Sequence, residues 1–199
     1  QNIEEMLYPI KKIGEGNYGT VYSAIGWEDT NLPFAVKYGI IKDEGINNYN
    51  EEITSYHEKI LLERIISPII TNGVCPNLPL LIDCFITGEC KTLPDRKCSI
   101  VSLLEVADGN LRQLFFSKKE FLEEDMYNCL FQIMAGLHAT QAHAQIMNFD
   151  IKAENILYFK IPKGGCWKYT ILDKTFYLPN NGWLFILNDF GLSRSMNPD

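Results

Sequence analysis

Three polar residues whose side chains could take part in a reaction lie within one short segment of the 199-residue chain. Asp150, Lys152 and Asn155 lie in the stretch NFDIKAENIL, between two apolar runs. Charges in such a setting are costly unless they are paired or hold a ligand. A carboxylate can orient and deprotonate a hydroxyl, a lysine can neutralise an anion, and an amide oxygen suits a hard cation. The rest of the sequence has to indicate what these three side chains contact.

A second aspartate follows a strongly apolar run near the end of the chain. Asp189 lies in LFILNDFGLS, where a buried strand would deliver its carboxylate to the strand end. Mg²⁺ usually takes one or two protein oxygen ligands together with phosphate oxygens. Asp189 with Asn155 as second ligand predicts such a site, which leaves Asp150 as the base and Lys152 to neutralise a transferring phosphate.

Three glycines near the N-terminus are spaced as in phosphate-binding loops. Gly14, Gly16 and Gly19 form G-x-G-x-x-G in IGEGNYGTVY, between two strand-like runs. Glycines allow the backbone to approach phosphates and to offer them N–H groups. A plain hairpin with bulges explains the pattern equally well, and the lack of a following helix disfavours a dinucleotide-binding unit. Val21 would suit the roof of a base pocket.

Lys37 stands inside the apolar strand-like run FAVK. It either lies on the exposed face of an antiparallel strand or points inward, where its charge needs an anionic partner. The following helix offers four acids, namely Glu51, Glu52, Glu58 and Glu63. Glu58 is the preferred partner because Leu61 and Leu62 follow it on the inward side, although most helical glutamates are solvated.

The elements that position these residues change character along the chain. The first part predicts strands, with a hairpin around the glycines and further strands in LPFAVKYGII, LPLLIDCFIT and CSIVSLLEV. A helix is predicted over residues 47–66, and Pro68 is expected to end it. Strands followed by helices predict an α+β fold with two lobes, over residues 1–107 and 108–199.

The second part predicts helices and then more strands. LRQLFF is a short helix, and residues 123–144 form a long amphipathic one whose apolar face must pack against something. That face carries Tyr127, Leu130, Phe131, Met134 and Leu137. After the polar segment, GGCWKYTILDKTFYLPNNGWLFIL predicts strands around a Pro-Asn-Asn-Gly turn.

Bulk properties exclude some classes of function. The net charge of −7 argues against nucleic-acid or anionic-membrane binding, which needs a basic face. The six cysteines form no CxxC pair and no zinc-finger spacing with the three histidines, so free thiols and an intracellular, cytoplasmic location are expected. Whether some of the cysteines form disulfides is left open.

Taken in order, the motifs resemble those of the eukaryotic-type protein kinase family. The chain carries G-x-G-x-x-G-x-V, A-V-K, a helix glutamate, D-x-K-x-x-N and D-F-G. Lys152 in DIKAEN resembles the serine/threonine class. The resemblance implies a two-lobed fold, with a β-rich N-lobe containing one helix and a partial helical C-lobe. It also implies ATP and Mg²⁺ as cofactors and a protein substrate with serine or threonine.

The resemblance further implies a role for each matching residue. Lys37 would hold the α- and β-phosphates and pair with Glu58, while Asp150 and Lys152 would be catalytic and Asn155 and Asp189 would bind the metal. The phosphates would be covered by Ile13, Gly14, Glu15, Gly16, Asn17, Tyr18 and Gly19. Adenine would be contacted by Val21, Ala35, Leu104, Glu105, Ala107 and Leu157.

Three departures from the family pattern carry expectations of their own. The family's H-R-D reads Asn148-Phe149-Asp150, so the arginine that reads a phosphorylated activation loop is missing, and the amide of Asn148 is expected to brace the loop in place of histidine. The chain ends at Asp199, just past D-F-G. An exposed apolar C-lobe surface is therefore expected, covered by a further C-terminal segment or a partner.

The third departure is an insert. Asn155 and Asp189 are 34 residues apart, wider than in the family, and residues 160–183 form an inserted or extended hairpin. The insert is either an excursion that packs on its own lobe or a docking surface. With an insert at this position, the chain resembles kinases of large DNA viruses.

Two other functions stay open beside an ATP-dependent serine/threonine protein kinase. A nucleotide-binding scaffold or pseudokinase is motivated by the Asn-Phe-Asp triplet and the early end of the chain. A small-molecule kinase would share the ATP-binding lobe, but the glycine loop and D-F-G favour a protein kinase.

Overall fold

The computed structural model of the chain describes residues 8–16, 19–25, 33–41, 52–87, 98–117 and 121–196. The chain divides into two compact units, Gln1–Glu63 with Leu80–Val106, and Arg64–Pro79 with Ala107–Asp199. Residues 64–79, which the sequence analysis placed in the first lobe, group with the second unit. One contributor to that grouping is Asn77, whose side chain bonds to residues of the second unit.

The first unit is built on a five-stranded antiparallel sheet with strand order β1-β2-β3-β5-β4. Its strands are β1 (Tyr8–Gly16), β2 (Gly19–Ile25), β3 (Pro33–Ile41), β4 (Leu81–Thr87) and β5 (Cys98–Glu105). Alternating side chains supply a small core of Ala24, Val36 and Val101. All the strands expected from the sequence in this part of the chain are present.

The helix of the first unit does not end at Pro68. Helix α1 (Glu52–Leu61) runs into a π-helical turn (Leu62–Ile66) and then into α2 (Ser67–Thr71). The expected stop is therefore wrong. Pro68 lies in the first turn of α2, where a missing backbone N–H costs little because it has no helical acceptor there. The start predicted near residue 47 lies outside the described residues.

The second unit combines helices with three small antiparallel sheets, ordered β11-β8-β6, β10-β9 and β12-β7. Its helices are α2, α3 (Leu111–Phe116) and α4 (Glu123–Ala144), and a 3-10 turn spans Ala153–Asn155. Its strands are β6 (Gly109–Asn110), β7 (Ile146–Met147), β8 (Ile156–Lys160), β9 (Cys166–Ile171), β10 (Lys174–Pro179), β11 (Trp183–Leu187) and β12 (Arg194–Ser195). The expected α+β fold is confirmed.

Strands flank the Pro-Asn-Asn-Gly sequence as expected, because it connects β10 to β11, which pairs with β8. The insert also contains a turn that the sequence analysis did not predict. Strands β9 and β10 form a hairpin that turns at Leu172-Asp173, both with positive φ (49° and 61°). A two-residue turn with positive φ at both positions matches the right-handed twist of paired strands, so this location closes the hairpin well.

Helix α4 packs by a different face from the predicted apolar one. Tyr127, Leu130 and Met134 are 65%, 51% and 60% exposed. The buried face carries small and polar residues, with Asn128 and Gln132 among them. Their exposure agrees with the apolar C-lobe surface that the sequence analysis expected on this helix.

Gln132 of α4 and Asn77 are buried because they satisfy one edge of β11. The Oε1 atom of Gln132 accepts from the Phe185 N–H at 2.8 Å, and its Nε2 atom donates to the Trp183 carbonyl at 3.2 Å. Asn77 donates to the Phe185 carbonyl and to Gln132, both at 2.8 Å, while its own carbonyl accepts from the Leu187 N–H. These two side chains stand where a neighbouring strand would pair, which fixes the strand that leads to Asp189.

Replacing Asn77 tests that network. Asn77→Ala leaves the Phe185 carbonyl and the Gln132 amide without their buried partner, so we expect the free energy of unfolding to fall by about 3 kcal/mol. Tyr169→Phe is the matched control, because it removes only the hydroxyl that donates to Asn77 Oδ1 at 2.8 Å and should cost about 1 kcal/mol. Denaturant titration measures both, and equal losses would contradict a central role for Asn77.

The cysteines whose side chains are described are free thiols: Cys75, Cys84, Cys129 and Cys166. Burial raises the pKa of the Cys75 thiol to about 11 and that of Cys129 to about 12, so both stay protonated and unreactive near neutral pH. Among the described helices, none has the length and apolar character required to cross a lipid bilayer.

Candidate active site

Lys37 lies on β3 and points at an acid, as one of the two sequence interpretations required. Its Nζ atom donates to both carboxylate oxygens of Glu58 on α1, each at 2.7 Å. The two side chains are only 17% and 10% exposed. Glu58 was the preferred partner among the four acids, and it is followed by Leu61 and Leu62, which are buried. A half-buried lysine held by a carboxylate presents a fixed positive charge.

Close approach of β3 and α1 makes the pair possible. Gly39 faces Ser55 across the contact, and a Cβ atom at Gly39 would come within 2.7 Å of the Ser55 Oγ atom. The missing side chain therefore allows α1 to lie close enough to the sheet for Glu58 to reach Lys37.

The glycine motif forms the end of the β1–β2 hairpin. Gly14 pairs with Val21, and Gly16 pairs with Gly19. Asn17 and Tyr18 lie outside the described residues. A Cβ atom on Gly19 would overlap the carbonyl oxygen of Tyr38, whereas one on Gly14 would make ordinary contacts at 3.7 Å and beyond. The two glycines therefore differ sharply in what they tolerate.

That difference predicts unequal effects of the same substitution. Gly19→Ala must push the hairpin away from β3, so we expect nucleotide affinity to fall by about tenfold or more. Gly14→Ala meets only the side chain of Val21 and should change affinity by less than about threefold. Isothermal titration with Mg-ATP measures both. Equal losses would show that steric contact with β3 does not set the position of the loop.

The residues predicted to surround a base divide between the two units. In the first unit Val21 pairs with Lys37, and Ala35, which is 7% exposed, pairs with Leu104. Glu105 follows at the end of β5, and burial raises the pKa of its carboxyl group. Ala107 and Leu157 belong to the second unit, Leu157 on β8.

Two other residues predicted at the phosphate loop face solvent. Ile13 is 44% exposed. The Glu15 carboxylate accepts from Lys12 Nζ at 2.6 Å, and both side chains are largely exposed. Such a pair contributes little to stability, so neither residue is held in place by packing.

In the second unit, the three residues of the opening segment form one hydrogen-bonded cluster. The Oδ2 atom of Asp150 accepts from Lys152 Nζ at 2.6 Å and from Asn155 Nδ2 at 2.8 Å. Asn155 also donates to the Asp150 carbonyl at 2.9 Å. The 3-10 turn after Lys152 brings Asn155 back over the aspartate. Two donors thus orient one carboxylate, as a base that positions a hydroxyl requires.

Lys152 keeps its charge across the usual pH range. The hydrogen bond to Asp150 raises the pKa of Lys152, with nearby Asp189 and Glu154 adding to the effect. The side chain of Lys152 is 50% exposed. Its ammonium group can therefore stay bonded to the Asp150 carboxylate or turn toward an incoming anion.

Asn148 joins this cluster to the aspartate after β11. Its Oδ1 atom accepts from the Asp150 N–H at 2.8 Å, and its Nδ2 atom donates to the Asp189 carbonyl at 3.0 Å. Asn148 is 8% exposed, so it is a packed brace rather than a surface residue. The backbone adds a second link, from the Asn188 N–H to the Asn155 carbonyl at 2.8 Å. The brace expected from the amide of Asn148 is thus present.

Asp189 is held in an uncommon backbone conformation. Its φ is 63°, a left-handed value that aspartate adopts more readily than most residues. The next residue, Phe190, is fully buried and anchors the turn. Left-handed backbone at a polar residue costs free energy and tends to occur at functional sites.

The donor set of this cluster fits a hard cation. Asn155 uses its amide nitrogen for both bonds to Asp150, which leaves its oxygen as the ligand atom. Asp189 supplies carboxylate oxygens. Within the described ranges no three His, Cys, Asp or Glu side chains meet as a metal site. One carboxylate and one amide oxygen suit Mg²⁺, which completes its shell with phosphate and water.

Sequence reasoning did not find Asn77 and Gln132, which position the strand before Asp189. Both are fully buried and polar. The available signal was a glutamine at the centre of a long helix, one turn after Asn128, whose Oδ1 accepts from Gln132 Nε2.

Known proteins resemble this chain over nearly its whole length. A family model described as protein kinase domain matches residues 8–199. The chain is 28% identical over 202 residues to the probable serine/threonine-protein kinase 380R of Invertebrate iridescent virus 6, covering 95% of this chain and 37% of that protein. It is also 28% identical to the putative serine/threonine-protein kinase 019R of Frog virus 3 (isolate Goorha), covering 94% and 23%.

A cellular relative is similar to the same degree. The chain is 31% identical over 198 residues to the sporulation protein kinase mde3 of Schizosaccharomyces pombe, covering 98% of this chain and 30% of that protein. The chain therefore spans well under half the length of each of these three relatives. Two of them are viral, in agreement with the resemblance drawn from the insert.

Proposed function

This chain belongs to the protein kinase family, and we propose that it transfers the γ-phosphoryl group of Mg-ATP to a serine or threonine hydroxyl of a protein. The observation that carries the proposal is the Asp150 carboxylate, oriented by Lys152 and Asn155 and joined through Asn148 to Asp189. The viral and yeast relatives named as serine/threonine kinases support the choice of substrate hydroxyl.

The proposed reaction uses these residues in separate roles. The substrate hydroxyl oxygen bonds to the γ-phosphorus, the bond from that phosphorus to the leaving ADP oxygen breaks, and the hydroxyl proton passes to Asp150. Lys37, held by Glu58, binds the nucleotide phosphates, and Lys152 offsets charge on the transferring group. Asn155 and Asp189 would hold Mg²⁺, which supplies charge neutralisation at the phosphates.

We further propose that this activity does not require a phosphorylated activation segment. The position that carries arginine in the family is Phe149, which is 59% exposed and cannot pair with a phosphate. The loop is instead braced from within by Asn148. Short pairing of β12 with β7, and the Met196 N–H bond to the Gln145 carbonyl at 2.7 Å, hold the beginning of that segment.

The decisive experiment measures nucleotide binding and phosphoryl transfer side by side. The intact protein, purified without phosphate on its own residues, is titrated with Mg-ATP and then assayed with labelled ATP and casein as a general protein substrate. Binding together with label on serine or threonine supports the proposal. Binding with no transfer to any protein substrate would favour a nucleotide-binding scaffold, and transfer only to a small molecule would favour a different kinase class.

A further inference from the structure

The insert differs in charge from the rest of the chain. Residues 160–183 contain four lysines and one aspartate, in a chain whose net charge is −7. All four lysines are exposed: Lys160, Lys163, Lys168 and Lys174. The hairpin of β9 and β10 lies at the centre of this basic segment.

One face of the hairpin anchors it to its own unit. Tyr169, which is 2% exposed, donates to Asn77 Oδ1 at 2.8 Å. Phe131 of α4 packs against Tyr169 and Phe176, with ring centroids 5.3 and 5.9 Å apart. Asn128 donates to the Pro179 carbonyl at 2.7 Å. The hairpin is therefore a fixed feature of the second unit, and its orientation does not depend on a ligand.

Among the described residues, no ring contact reaches the side chains of the opposite face, and they lie open to solvent. Strand alternation places on it the cross-strand pairs Lys168–Tyr177, Thr170–Thr175 and Cys166–Pro179, all of whose members are exposed. Tyr177 alone is 66% exposed. An aromatic ring beside a lysine on a rigid ribbon can contact the side chains of another segment.

The backbone of β10 also offers an unpaired edge. Ladder bonds of an antiparallel hairpin join alternate residue pairs, and the pair that closes a two-residue turn is bonded. The bond from the Asn180 N–H to the Gly165 carbonyl, at the other end of the hairpin, fits the same alternation of bonded and non-bonded pairs. The N–H groups of Thr175 and Tyr177 therefore point away from β9. Within the described ranges, β10 pairs with no strand besides β9.

From these features we propose that the free edge of β10 binds an extended acidic segment of a partner protein as a third strand. Strand addition to an exposed sheet edge gives affinity through main-chain bonds and specificity through alternate side chains. Pro179 ends the edge on one side, because it has no N–H and its carbonyl is taken by Asn128. The added strand thus runs along Lys174 to Leu178.

Charge complementarity decides the chemistry of the partner. Lys168 lies on the outer face of β9, one strand in from the free edge of β10, while Lys174 lies on the opposite face at the turn and Lys163 lies just before β9. This net positive segment would attract the glutamates of an added strand, while a basic strand would be repelled. The proposal is independent of catalysis, since it concerns a surface that carries none of the residues placed at the active site.

The test uses a fluorescein-labelled peptide in which glutamate alternates with valine and threonine, titrated against the intact protein by fluorescence anisotropy. Thr175→Pro removes an edge N–H that β9 does not use. We expect it to weaken binding by about tenfold or more. Thr170→Pro is the matched control, because the N–H of Thr170 points to the opposite edge of the hairpin, on β9. This variant should bind the peptide with the same affinity as the unchanged protein.

A charge reversal gives a second, milder variant that leaves the backbone unchanged. Lys168→Glu should also weaken the acidic peptide, whereas Lys11→Glu, an exposed lysine of β1, changes the net charge equally and should leave affinity unaltered. Thermal unfolding confirms that each variant is folded.

Three results would overturn the proposal. One is equal affinity for a peptide in which lysine replaces every glutamate. Another is equal binding by the Thr175→Pro and Lys168→Glu variants and the unchanged protein. The third is self-association of the protein that Thr175→Pro abolishes while the acidic peptide fails to bind, because the edge would then serve a second copy of the chain.

Discussion

Asp150→Asn should lower phosphoryl transfer by about 10²–10⁴-fold, the contribution expected of a positioned base. The change is nearly isosteric, and an asparagine oxygen can still accept from Lys152 and Asn155 where the carboxylate does now. The fold and Mg-ATP affinity should therefore be close to those of the unchanged protein. The effect should appear in kcat, measured in steady-state assays with labelled ATP.

Glu154→Gln is the control for that variant, since it makes the same carboxylate-to-amide change one residue before Asn155. The Glu154 carboxylate pairs with Arg112 on α3, away from Asp150, so kcat should stay within about twofold. Undiminished transfer by Asp150→Asn would remove Asp150 from its proposed role. Equal losses in both variants would indicate a general disturbance of the loop.

Lys37→Met is expected to have the second large effect, a loss of about 10²-fold or more in kcat/KM. The substitution removes the charge proposed to bind the nucleotide phosphates and leaves the buried Glu58 carboxylate without its bonded cation. Both consequences weaken the site, because an uncompensated buried carboxylate is costly and repels phosphate. Mg-ATP titration and steady-state kinetics measure the two together.

A neighbouring ion pair between α1 and the π-helical turn provides the comparison. Lys59 donates to Glu63 at 2.7 Å, with the lysine side chain 14% and the glutamate side chain 47% exposed. Lys59→Met therefore removes a lysine of the same unit and should leave kcat/KM within about twofold. If Lys37→Met retained normal nucleotide affinity, the proposed phosphate contact would be refuted, and the pair with Glu58 would be structural.

The local motifs were legible in the sequence because short-range geometry determines them. The glycine spacing predicted a hairpin, and Gly16 does pair with Gly19. Leu61 and Leu62 identified the inward side of α1, and Glu58 is the acid that meets Lys37. Each inference needed only the period of a strand or a helix and the burial preference of the neighbouring residues.

Features that depend on distant partners were predicted less well. Tyr127, Leu130 and Met134 form the exposed apolar stripe that the sequence predicted, but the burial of Gln132 on the other face of the helix was not predicted. The periodicity of a helix shows that an apolar stripe exists, but the partner surface decides which stripe is covered. Pro68 likewise predicted the end of a helix. In the structure a π-helical turn precedes it, and the proline lies in the first turn of α2.

By itself, then, the sequence determined the elements and the residue types that a phosphate, a metal and a hydroxyl require, because those follow from local periodicity and elementary chemistry. Only the tertiary structure decided which buried polar groups form hydrogen bonds with one another. It assigned Asn148 to Asp189, Asn77 and Gln132 to the edge of β11, and Tyr169 to Asn77. Such pairs join residues up to 108 positions apart, and the partner of a buried polar group is set by packing, which no local pattern records.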